Sequence, residues 1–423
     1  MHVAVIGAGI IGVTSAYYLR EQGFEVTVVE RNAGVAQEAS FANAGVIAPG
    51  YVSPWAQPGM PGKVLRYLLE REAPLVFRPR LDLAQWGWLA HWLVECRLER
   101  YRRNKARMQR LAFYSRECLH ALVQRHAIEY EQTRGFLQLF RTEAEIERTA
   151  PARALLKDAG AAHALLNAAD CRRIEPALVE GTPLAGGLHL PDDETGNCAY
   201  FAKKLKEICA GQGVRFRFGA SVDRIEIDRG RVSHLKLAEG NAQAELKADA
   251  VVVAAGVDSV RLLRPLGIKL PLFPVKGYSA TAAITRPENA PMISVMDEAY
   301  KVAVTRMGNR MRISGTAEVG SRALVLRDAA LGTLLRVARD WFPGAAAYAQ
   351  AQFWVGARPM LPDGPPVLGP TPIANLHLNL GHGSSGWALA CGSGRVVAEL
   401  IGRRAPELDL EGLTLDRYRP RSK

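Results

Sequence analysis

Three glycines and one acid near the start of the chain have the types and spacing of a dinucleotide-binding turn. The segment VAVIGAGIIG places Gly7, Gly9 and Gly12 directly after a short apolar run. Gly7 allows a tight turn, Gly9 leaves room for a pyrophosphate, and Gly12 lets a helix pack closely on a strand. Glu30, at the end of the next apolar run, can accept hydrogen bonds from a ribose, and its charge disfavours the extra phosphate of NADP. These residues predict binding of NAD or FAD.

A second glycine-rich segment lies near the C-terminus. GHGSSGW, residues 381–387, separates the alternating run LHLNL from ALACGSGRVVAELI, which has helical spacing. Free amides at the start of that helix suit the negative charge that a reduced flavin carries on its pyrimidine side. His382 in this turn is expected to line the flavin, although a lone histidine is more often structural than catalytic. The two glycine segments are thus expected to hold one flavin between two helix N-termini.

The elements around these turns indicate an α/β fold. VAVIG reads as a strand buried on both faces, VTSAYYLREQG as a helix and EVTVVE as a second strand, which completes a βαβ unit. Downstream, KADAVVVAAG and GVRFRFGASVDRIEI read as further strands of the nucleotide fold. The runs RMRIS and KVAVT alternate as in an antiparallel sheet with one face on the substrate.

Composition sets outer limits on the class of protein. The chain has 423 residues, 48% apolar and 23% charged, and a formal charge of +12, which excludes a disordered chain or a fibre. No apolar stretch is long enough to predict a spanning helix, and the N-terminal glycine motif argues against a signal peptide, so we expect a cytoplasmic protein. The six cysteines form no CxxC pair and are expected to be buried thiols, and the histidines form no HExxH motif, so no metal is expected.

The region after residue 31 turns to a long loop, AGVAQEASFANAGVIAPGYVSPWAQPGMPG, where an NAD enzyme usually continues with further βα units. A loop this long is typically functional or disordered. Its Ser40, Asn43 and Gly45 could approach a flat ring closely. From these residues alone, both FAD and NAD remain open.

A family resemblance runs from residue 1 to about residue 418. The opening βαβ unit, ASFANAGVIAPGYVSPWAQPG, LQLFRTE, LPDDETGNC, KGYS, GARPMLPDGPPVLG and GHGSSGWALACGSG together resemble the FAD-dependent D-amino acid dehydrogenases of the small-subunit type. These belong to the wider D-amino acid oxidase and glycine oxidase superfamily. The later motifs are more specific than the first, and the resemblance favours FAD over NAD.

The resemblance implies a D-amino acid oxidase-like fold, in which a discontinuous Rossmann-like FAD-binding domain joins an α+β substrate domain with an antiparallel sheet. We expect the FAD-binding domain to comprise residues 1–60, 181–270 and 356–423, and the substrate domain residues 61–180 and 271–355. The resemblance implies FAD contacts at Gly7, Gly9, Ile11, Gly12, Glu30, Arg31, Ser40, Asn43, Ala44, Gly45, Val222, Ala255, Gly256, Gly381, His382, Gly383, Ser384, Ser385, Gly386 and Trp387. Because VGARPMLPD contains no cysteine, the FAD is expected to be non-covalent.

The implied reaction moves a hydride from the α-carbon of an amino acid to the flavin, leaving an imino acid that water converts to a 2-oxo acid and ammonia. Arg358 sits where related oxidases bind the substrate carboxylate, and the alternative is a structural pair with Asp363. Tyr300 resembles the tyrosine whose hydroxyl supports that carboxylate, and the alternative is a core tyrosine. Lys276 is expected to add positive charge near the flavin, unless it is an ordinary surface lysine. No general base is required if the amine arrives neutral.

The electron acceptor is not readable from the flavin motifs. The family's association with the respiratory chain implies a quinone. Residues 81–110, LDLAQWGWLAHWLVECRLERYRRNKARMQR, combine three tryptophans with a basic run. Two interpretations fit them: peripheral contact with the inner face of an anionic membrane, or a substrate-domain helix with core tryptophans and a solvated basic face. No nucleic-acid-binding signature is present.

Two other functions compete with D-amino acid dehydrogenation. One is a related oxidase that acts on glycine, sarcosine or a proline derivative and uses oxygen. The other is a flavin-binding subunit without turnover. The handedness and side-chain preference of the substrate are not readable from the residues.

Overall fold

Two large β-sheets carry the fold of this computed structural model, which describes residues 1–67 and 73–419. Its helices are α1 (Ile10–Glu21), α2 (Met60–Tyr67), α3 (Leu83–Glu95), α4 (Leu98–His126), α5 (Glu143–Glu147), α6 (Ala150–Asp158), α7 (Ala168–Ile174), α8 (Cys198–Gly211), α9 (Ser259–Leu263), α10 (Asp328–Trp341) and α11 (Gly386–Ile401). The first strands are β1 (His2–Ile6), β2 (Glu25–Glu30), β3 (Val46–Ile47), β4 (Leu75–Phe77), β5 (Thr133–Phe140), β6 (Ala164–Asn167), β7 (Gly186–Thr195), β8 (Arg215–Phe218) and β9 (Ala220–Asp228). The later strands are β10 (Arg231–Glu239), β11 (Ala242–Leu246), β12 (Ala250–Val253), β13 (Phe273–Ala283), β14 (Ser294–Asp297), β15 (Val302–Met307), β16 (Arg310–Val319), β17 (Gln352–Met360), β18 (Val367–Pro370) and β19 (Leu376–Leu380).

The first sheet has the strand order β18-β19-β12-β1-β2-β8 and is parallel except for β18. Its apolar runs are buried on both faces, as a parallel sheet covered on both sides requires. Helices α1, α4, α8 and α11 form one core against it, and the three-stranded sheet β9-β10-β11 covers the other face. The predicted βαβ unit and the strand and helix that flank residues 381–387 are present.

The second sheet has the order β17-β13-β16-β15-β14-β5-β7-β3 and is mainly antiparallel. One face packs against α10 through Tyr278, Val304, Ile313 and Trp341. The opposite face carries small and polar side chains, such as Ser279 and Ser314. A substrate domain with an antiparallel sheet is therefore present, and one face of its sheet is available to a cavity.

The strand pairing departs from the predicted domain limits. Strands β3 and β7, which we assigned to the FAD-binding domain, both belong to the second sheet, as does the whole of β17. The predicted boundaries at 181 and 356 thus separate β7 and part of β17 from the other strands of their sheet, and the domain limits stay a prediction. Helix α4, assigned to the substrate domain, packs against α11 and α1 in the core of the first sheet. Residues 68–72 and 420–423 of the predicted domains lie outside the described residues.

Candidate active site

A cavity of about 1270 Å³ is lined by residues of both sheets. We call its part at the carboxyl ends of β1, β2, β12 and β19 the nucleotide half, and its part along β13, β16 and β17 the substrate half. Ligands of open parallel sheets bind at the carboxyl ends of the strands. Of the residues for which FAD contacts were predicted, all except Gly12 line this cavity.

Two glycines of the first turn, Gly7 and Gly12, leave no room for a side chain. Gly7 has φ +103°, and a Cβ there would lie 2.6 Å from the carbonyl oxygen of Ala254. A Cβ on Gly12 would overlap the carbonyl of Gly7, so Gly12 sets how closely α1 packs on β1. A Cβ on Gly9 would meet only the Ser40 hydroxyl, at 3.4 Å, so Gly9 borders open cavity. This geometry matches the roles that the glycine spacing predicts.

Side chains from two loops tie the turn to its surroundings. Glu30 accepts hydrogen bonds from the amides of Ala8 at 2.7 Å and Asn32 at 2.8 Å, and still borders the cavity. The Ser40 hydroxyl accepts from the Ile10 amide at 3.0 Å. The Ile11 side of the turn faces the cavity. The start of α1 therefore offers amide dipoles where a pyrophosphate would lie.

The loop around residue 43 has a similarly constrained backbone. Gly45 has φ +74°, and its amide donates to the Asn43 side chain at 3.0 Å. Thr305 donates to the carbonyl of Ala44 at 3.0 Å, and Arg312 donates to the carbonyl of Asn43 at 3.1 Å. Sequence reasoning missed Arg312, a buried side chain that fixes this loop from the second sheet.

The second glycine turn joins β19 to α11. Gly381 and Gly383 both have positive φ, at +81° and +56°. His382 Nε2 lies 2.9 Å from the Ser393 hydroxyl, and burial lowers the pKa of His382 to about 3, so this ring stays neutral. The Trp387 indole donates to the carbonyl of Gly196 at 3.2 Å. Ser384, Ser385 and Gly386 complete the cavity wall. His382 thus serves as a neutral structural group here.

The outer end of the nucleotide half is lined by Arg31, Val222, Ala255 and Gly256. Arg31 forms ion pairs with both Glu38 and Asp258, so it bridges the loops that follow β2 and β12. The carbonyl of Val222 accepts from Arg261 at 2.7 Å.

The residues fit FAD. Both glycine turns border the cavity, Gly9 leaves open volume where a side chain would stand, and a carboxylate borders the cavity at the end of β2. None of the six cysteines lies among the described residues that line the cavity. Non-covalent attachment of the FAD stays a prediction.

Arg358 lies in the substrate half on β17. Its guanidinium rests on Gly277, where a Cβ would overlap it, and donates to the carbonyl of Lys276 at 3.0 Å. Burial lowers its pKa to about 10, so it remains charged near neutral pH. Among the described residues it forms no ion pair, because Asp363 pairs with Arg417 at 2.7 Å instead. The structural pair that was the alternative for Arg358 is therefore not formed.

Trp55 completes the surroundings of this guanidinium, and sequence reasoning missed it. The Trp55 ring lies over Arg358, with 5.6 Å from the guanidinium carbon to the ring centroid. Its indole N–H donates to the Ser384 hydroxyl at 3.0 Å. Trp55 thereby connects Arg358 to the second glycine turn. The only sequence signal was its place in the family-like segment SPWAQPG.

Lys276, which was expected to add positive charge near the flavin or to be an ordinary surface lysine, is buried away from the cavity. Its ammonium is buried and lies 2.8 Å from Glu318, and it also donates to the carbonyl of Ala323 at 3.2 Å. Tyr278 and Arg327 donate to the same carboxylate. This charge cluster lies on the α10 side of the sheet, and Lys276 does not line the cavity.

Tyr300 borders the cavity, but it is not beside Arg358 in the sheet. Two strands, β13 and β16, separate β17 from β15, the strand that follows Tyr300, which is about 14 Å at ordinary strand spacing. The Tyr300 ring lies between the guanidiniums of Arg141 and Arg336, at 4.9 and 4.5 Å, and packs against the α10 core. Its support of a substrate carboxylate stays a prediction.

Three buried polar side chains hold the turn at residues 49–53, which lines the substrate half. Lys105 donates to the carbonyl of Val52 at 3.3 Å, and Gln109 donates to that of Gly50, also at 3.3 Å. Asp193 accepts from the Gly50 amide at 3.1 Å. Burial lowers the pKa of Lys105 to about 8 and raises that of Asp193 to about 7. Lys105, read in the sequence as part of a basic run, thus points inward.

The segment 81–110 combines features of both interpretations. Trp88 and Trp92 are buried, stack at 6.4 Å and line the cavity, as the structural interpretation predicts. Leu83 and Trp86 are exposed on the outer face of α3, together with Leu93 and Val94, and Leu81 just before the helix is also exposed. No helix of residues 1–67 and 73–419 is long and apolar enough to cross a bilayer.

The basic run in α4 is partly neutralised. Arg100 pairs with Glu95, Arg107 with Glu411 and Arg110 with Asp409. The remaining arginines of the run, Arg97, Arg102 and Arg103, are exposed.

Comparison with known proteins gives three findings. The family model described as FAD dependent oxidoreductase matches residues 2–400. The chain is 49% identical over 420 residues to a protein of Bradyrhizobium diazoefficiens named D-amino acid dehydrogenase, with 99% of each chain covered. It is 48% identical over 421 residues to a protein of the same name from Methylobacterium nodulans, again with 99% of each covered.

Solved structures share the fold at low identity. Glycine oxidase from Geobacillus kaustophilus is similar with a TM-score of 0.73 at 23% identity, over 100% of this chain and 98% of that one. L-proline dehydrogenase from P. horikoshii is similar with a TM-score of 0.73 at 18% identity, over 99% and 97%. These similarities show the two-sheet architecture and not the substrate.

Proposed function

The chain belongs to the FAD-dependent oxidoreductase family, and on that premise we propose that it oxidises D-amino acids to 2-oxo acids and ammonia, passing the electrons to a quinone or another acceptor that is not oxygen. The names of its relatives support the D-amino acid and the dehydrogenase reaction. The fit of the nucleotide half to FAD supports the redox chemistry.

The partly buried Arg358 carries the proposal. Its guanidinium lies against Gly277 and Trp55, and no carboxylate of the described residues is beside it. An anionic ligand would therefore stabilise this desolvated charge. An amino acid carboxylate matches its planar edge through paired charge-assisted hydrogen bonds. Arg358 would hold the substrate by this group and orient its α-carbon in the cavity.

When bound, FAD supplies the acceptor for the hydride from the α-carbon, and water converts the imino acid to a 2-oxo acid and ammonia. The chain's own residues bind and orient the amino acid. His382 is buried and neutral, hydrogen-bonded to Ser393, and is therefore assigned no proton transfer. A neutral substrate amine needs no strong base from the protein.

Anaerobic mixing with D-alanine and with L-alanine tests this function. D-alanine should bleach the flavin absorption band of the purified protein, and L-alanine should leave it unchanged. Bleaching by L-alanine alone would reject the proposed handedness. Purified protein that is colourless and does not take up FAD would reject the function as a whole.

We infer that the acceptor is a quinone. The outer face of α3 exposes Leu83, Trp86, Leu93 and Val94 together with one histidine, His91, whereas its inner face lines the cavity through Trp88 and Trp92. A wall that is mainly apolar on both sides suits an acceptor that partitions into lipid. Turnover with a quinone analogue should exceed turnover in air, and stoichiometric hydrogen peroxide from turnover in air would reject this acceptor.

We also infer peripheral contact of α3 with an anionic bilayer. Exposed Leu83 and Trp86 would enter the interface, and the exposed arginines of α4 would add electrostatic attraction. Sedimentation with anionic vesicles should fall in Leu83→Glu and Trp86→Glu but not in Leu165→Glu, a matched exposed leucine on β6. Equal sedimentation of all three variants would reject the contact.

A further inference from the structure

Four polar side chains form a cluster on the α10 side of the second sheet, and the proposed reaction uses none of them directly. We call it the Glu318 cluster. The Glu318 carboxylate lies 2.8 Å from the Lys276 ammonium and 3.0 Å from the Arg327 guanidinium, and Tyr278 donates to it at 2.6 Å. Lys276 and Glu318 are each only 1% exposed. Ion pairs this deeply buried add little stability over apolar side chains of similar size, so stability alone does not explain the cluster.

The Glu318 cluster holds strand β13 on both sides of Gly277. Lys276 and Tyr278 are the chain neighbours of Gly277, and both reach the single carboxylate of Glu318 on β16. The regular pairing of β13 with β16 is interrupted at this point, because Thr316 forms a bulge and has φ +50°. Side chains therefore fix the backbone where the ladder of backbone hydrogen bonds is disturbed.

Arg358 lies against the same stretch of backbone from the opposite face of the sheet. Its guanidinium donates to the carbonyl of Lys276 at 3.0 Å, and a Cβ on Gly277 would lie 2.2 Å from one of its terminal nitrogens. Gly277 and Arg358 line the cavity, whereas Lys276 and Glu318 do not. A shift of the peptide between Lys276 and Gly277 would consequently displace the guanidinium that faces the cavity.

We propose that Lys276 and Glu318 are positioning residues, which hold the backbone of residues 276–278 so that Arg358 presents its planar edge to the substrate carboxylate. This rests on the proposed role of Arg358. A binding group that is misplaced by about 1 Å can lower catalytic efficiency by about a hundredfold. The Glu318 cluster thus acts on substrate binding from behind the sheet, without contact to substrate or flavin.

The competing outcome is a cluster that only stabilises the folded chain. Removal of one partner from a buried ion pair destabilises a protein in either case. A lower free energy of unfolding therefore does not separate the two roles. They differ in whether the effect on the substrate passes through Arg358.

A double-mutant cycle between Lys276 and Arg358 makes this distinction in the holoenzyme. Lys276→Met removes the ammonium and keeps an unbranched apolar side chain. We expect it to lower kcat/KM for D-alanine about tenfold, mainly through KM. In Arg358→Ala the added Lys276→Met should lower kcat/KM by less than about twofold, because the group that it positions is already missing. Equal factors in the two backgrounds would overturn the proposal.

Tyr278→Phe is a milder variant that keeps every charge of the cluster, so it serves if Lys276→Met does not fold. It loses one hydrogen bond to Glu318, and KM for D-alanine should rise about threefold. Propanoate, a carboxylate without an amine, gives a second measurement that needs no turnover. Its dissociation constant, followed by the change in flavin absorption, should rise by the same factor. An unchanged dissociation constant in Tyr278→Phe would overturn the proposal.

Glu318→Gln and Glu175→Gln make the same chemical change at two fully buried glutamates and provide the matched control. Glu175 accepts from the amides of Met292 and Ile293 at 2.7 and 2.9 Å, beside β14, which lies three strands from β13. Glu318→Gln should raise KM for D-alanine about tenfold, whereas Glu175→Gln should leave it unchanged. Equal effects of the two variants on KM would overturn the proposal.

The same measurements separate this inference from the function on which it rests. A flavin that no D-amino acid bleaches rejects the proposed function. An unchanged kcat/KM in Arg358→Ala rejects the role of Arg358, and this inference with it. If Arg358→Ala lowers kcat/KM while Lys276→Met and Glu318→Gln do not, only this inference fails.

Discussion

The two halves of the cavity are built from different parts of the polypeptide. The nucleotide half presents backbone amides and missing side chains, at Gly7, Gly9 and the turn that begins at Gly381. The substrate half presents side chains that are held by other side chains, such as Arg358 under Trp55. Backbone amides carry no titrating charge, and an added Cβ at Gly7, Gly12 or Gly381 would lie less than 3 Å from other atoms of the chain. Side-chain geometry adapts to substitution, and it depends on partners that are distant in sequence.

The largest expected effect concerns the nucleotide half, which presents backbone. Gly12→Ala places a Cβ against the carbonyl of Gly7, where nothing can move without shifting α1 from β1. We expect purified Gly12→Ala to contain no flavin and to resist reconstitution. Alanine is otherwise the better helix former, so the loss would come from this overlap. The ratio of flavin to protein absorbance measures it.

Gly211→Ala is the matched control for that substitution. Gly211 also lies in a helix, α8, but a Cβ there meets nothing within 4 Å. This variant should bind flavin as the unmodified chain does. A Gly12→Ala protein as yellow as Gly211→Ala would contradict the claim that the turn is intolerant of one carbon atom.

The next largest effect concerns the substrate half, which presents side chains. Arg358→Ala should lower kcat/KM for a D-amino acid by about a hundredfold or more, which corresponds to about 3 kcal/mol, because the substrate carboxylate loses paired charge-assisted hydrogen bonds. Flavin content should stay near that of the unmodified chain, unlike in Gly12→Ala. Arg358→Lys keeps the charge but not the planar edge and should be intermediate. An unchanged kcat/KM in Arg358→Ala would remove its role.

The same division explains what the sequence could predict. The family, the FAD cofactor and the α/β class were predicted correctly, because the glycine turns are local patterns with strands and helices in register around them. The second glycine turn followed from the same logic, since Gly381 lies where a strand meets a helix.

Lys276 shows why the substrate half was harder. It is adjacent to Gly277, which lines the cavity, but successive residues of a strand point to opposite faces. A bulge in the pairing beside Gly277, with Thr316 at φ +50°, further disturbs the alternation. Trp55 reaches Arg358 only through the tertiary fold, and no pattern in the sequence joins these two positions.

Removing the contacts of Trp55 should have a smaller effect that falls on substrate binding. Trp55→Leu loses both the ring over Arg358 and the hydrogen bond to Ser384, so we expect KM for a D-amino acid to rise about tenfold with a lesser change in kcat. Trp55→Phe and Ser384→Ala each lose the hydrogen bond alone and should raise KM about fivefold. Both substitutions remove the same hydrogen bond, so the double variant should have the KM of either single variant. Additive effects would show that the two side chains act separately.

The smallest effect is a pH dependence confined to the substrate half. Burial raises the pKa of Asp193 to about 7 from an ordinary value of about 3.9. In the intervening pH range the folded chain keeps a proton that the unfolded chain has lost, so this group's contribution to stability is complete below about pH 4 and is lost as pH rises through about 7. The charged groups that face Asp193 are Arg116, Lys105 and Asp192.

Asp193→Asn mimics the protonated form. The free energy of unfolding of this variant, relative to that of the unmodified chain, should therefore increase by about 1 kcal/mol from pH 6 to pH 7. FAD affinity in both proteins should stay constant over this range, since His382 is neutral throughout and the turns bind through amides. A stability difference that does not change with pH would mean that Asp193 is ionised in the folded chain, and that the turn it holds is as insensitive to pH as the glycine turns.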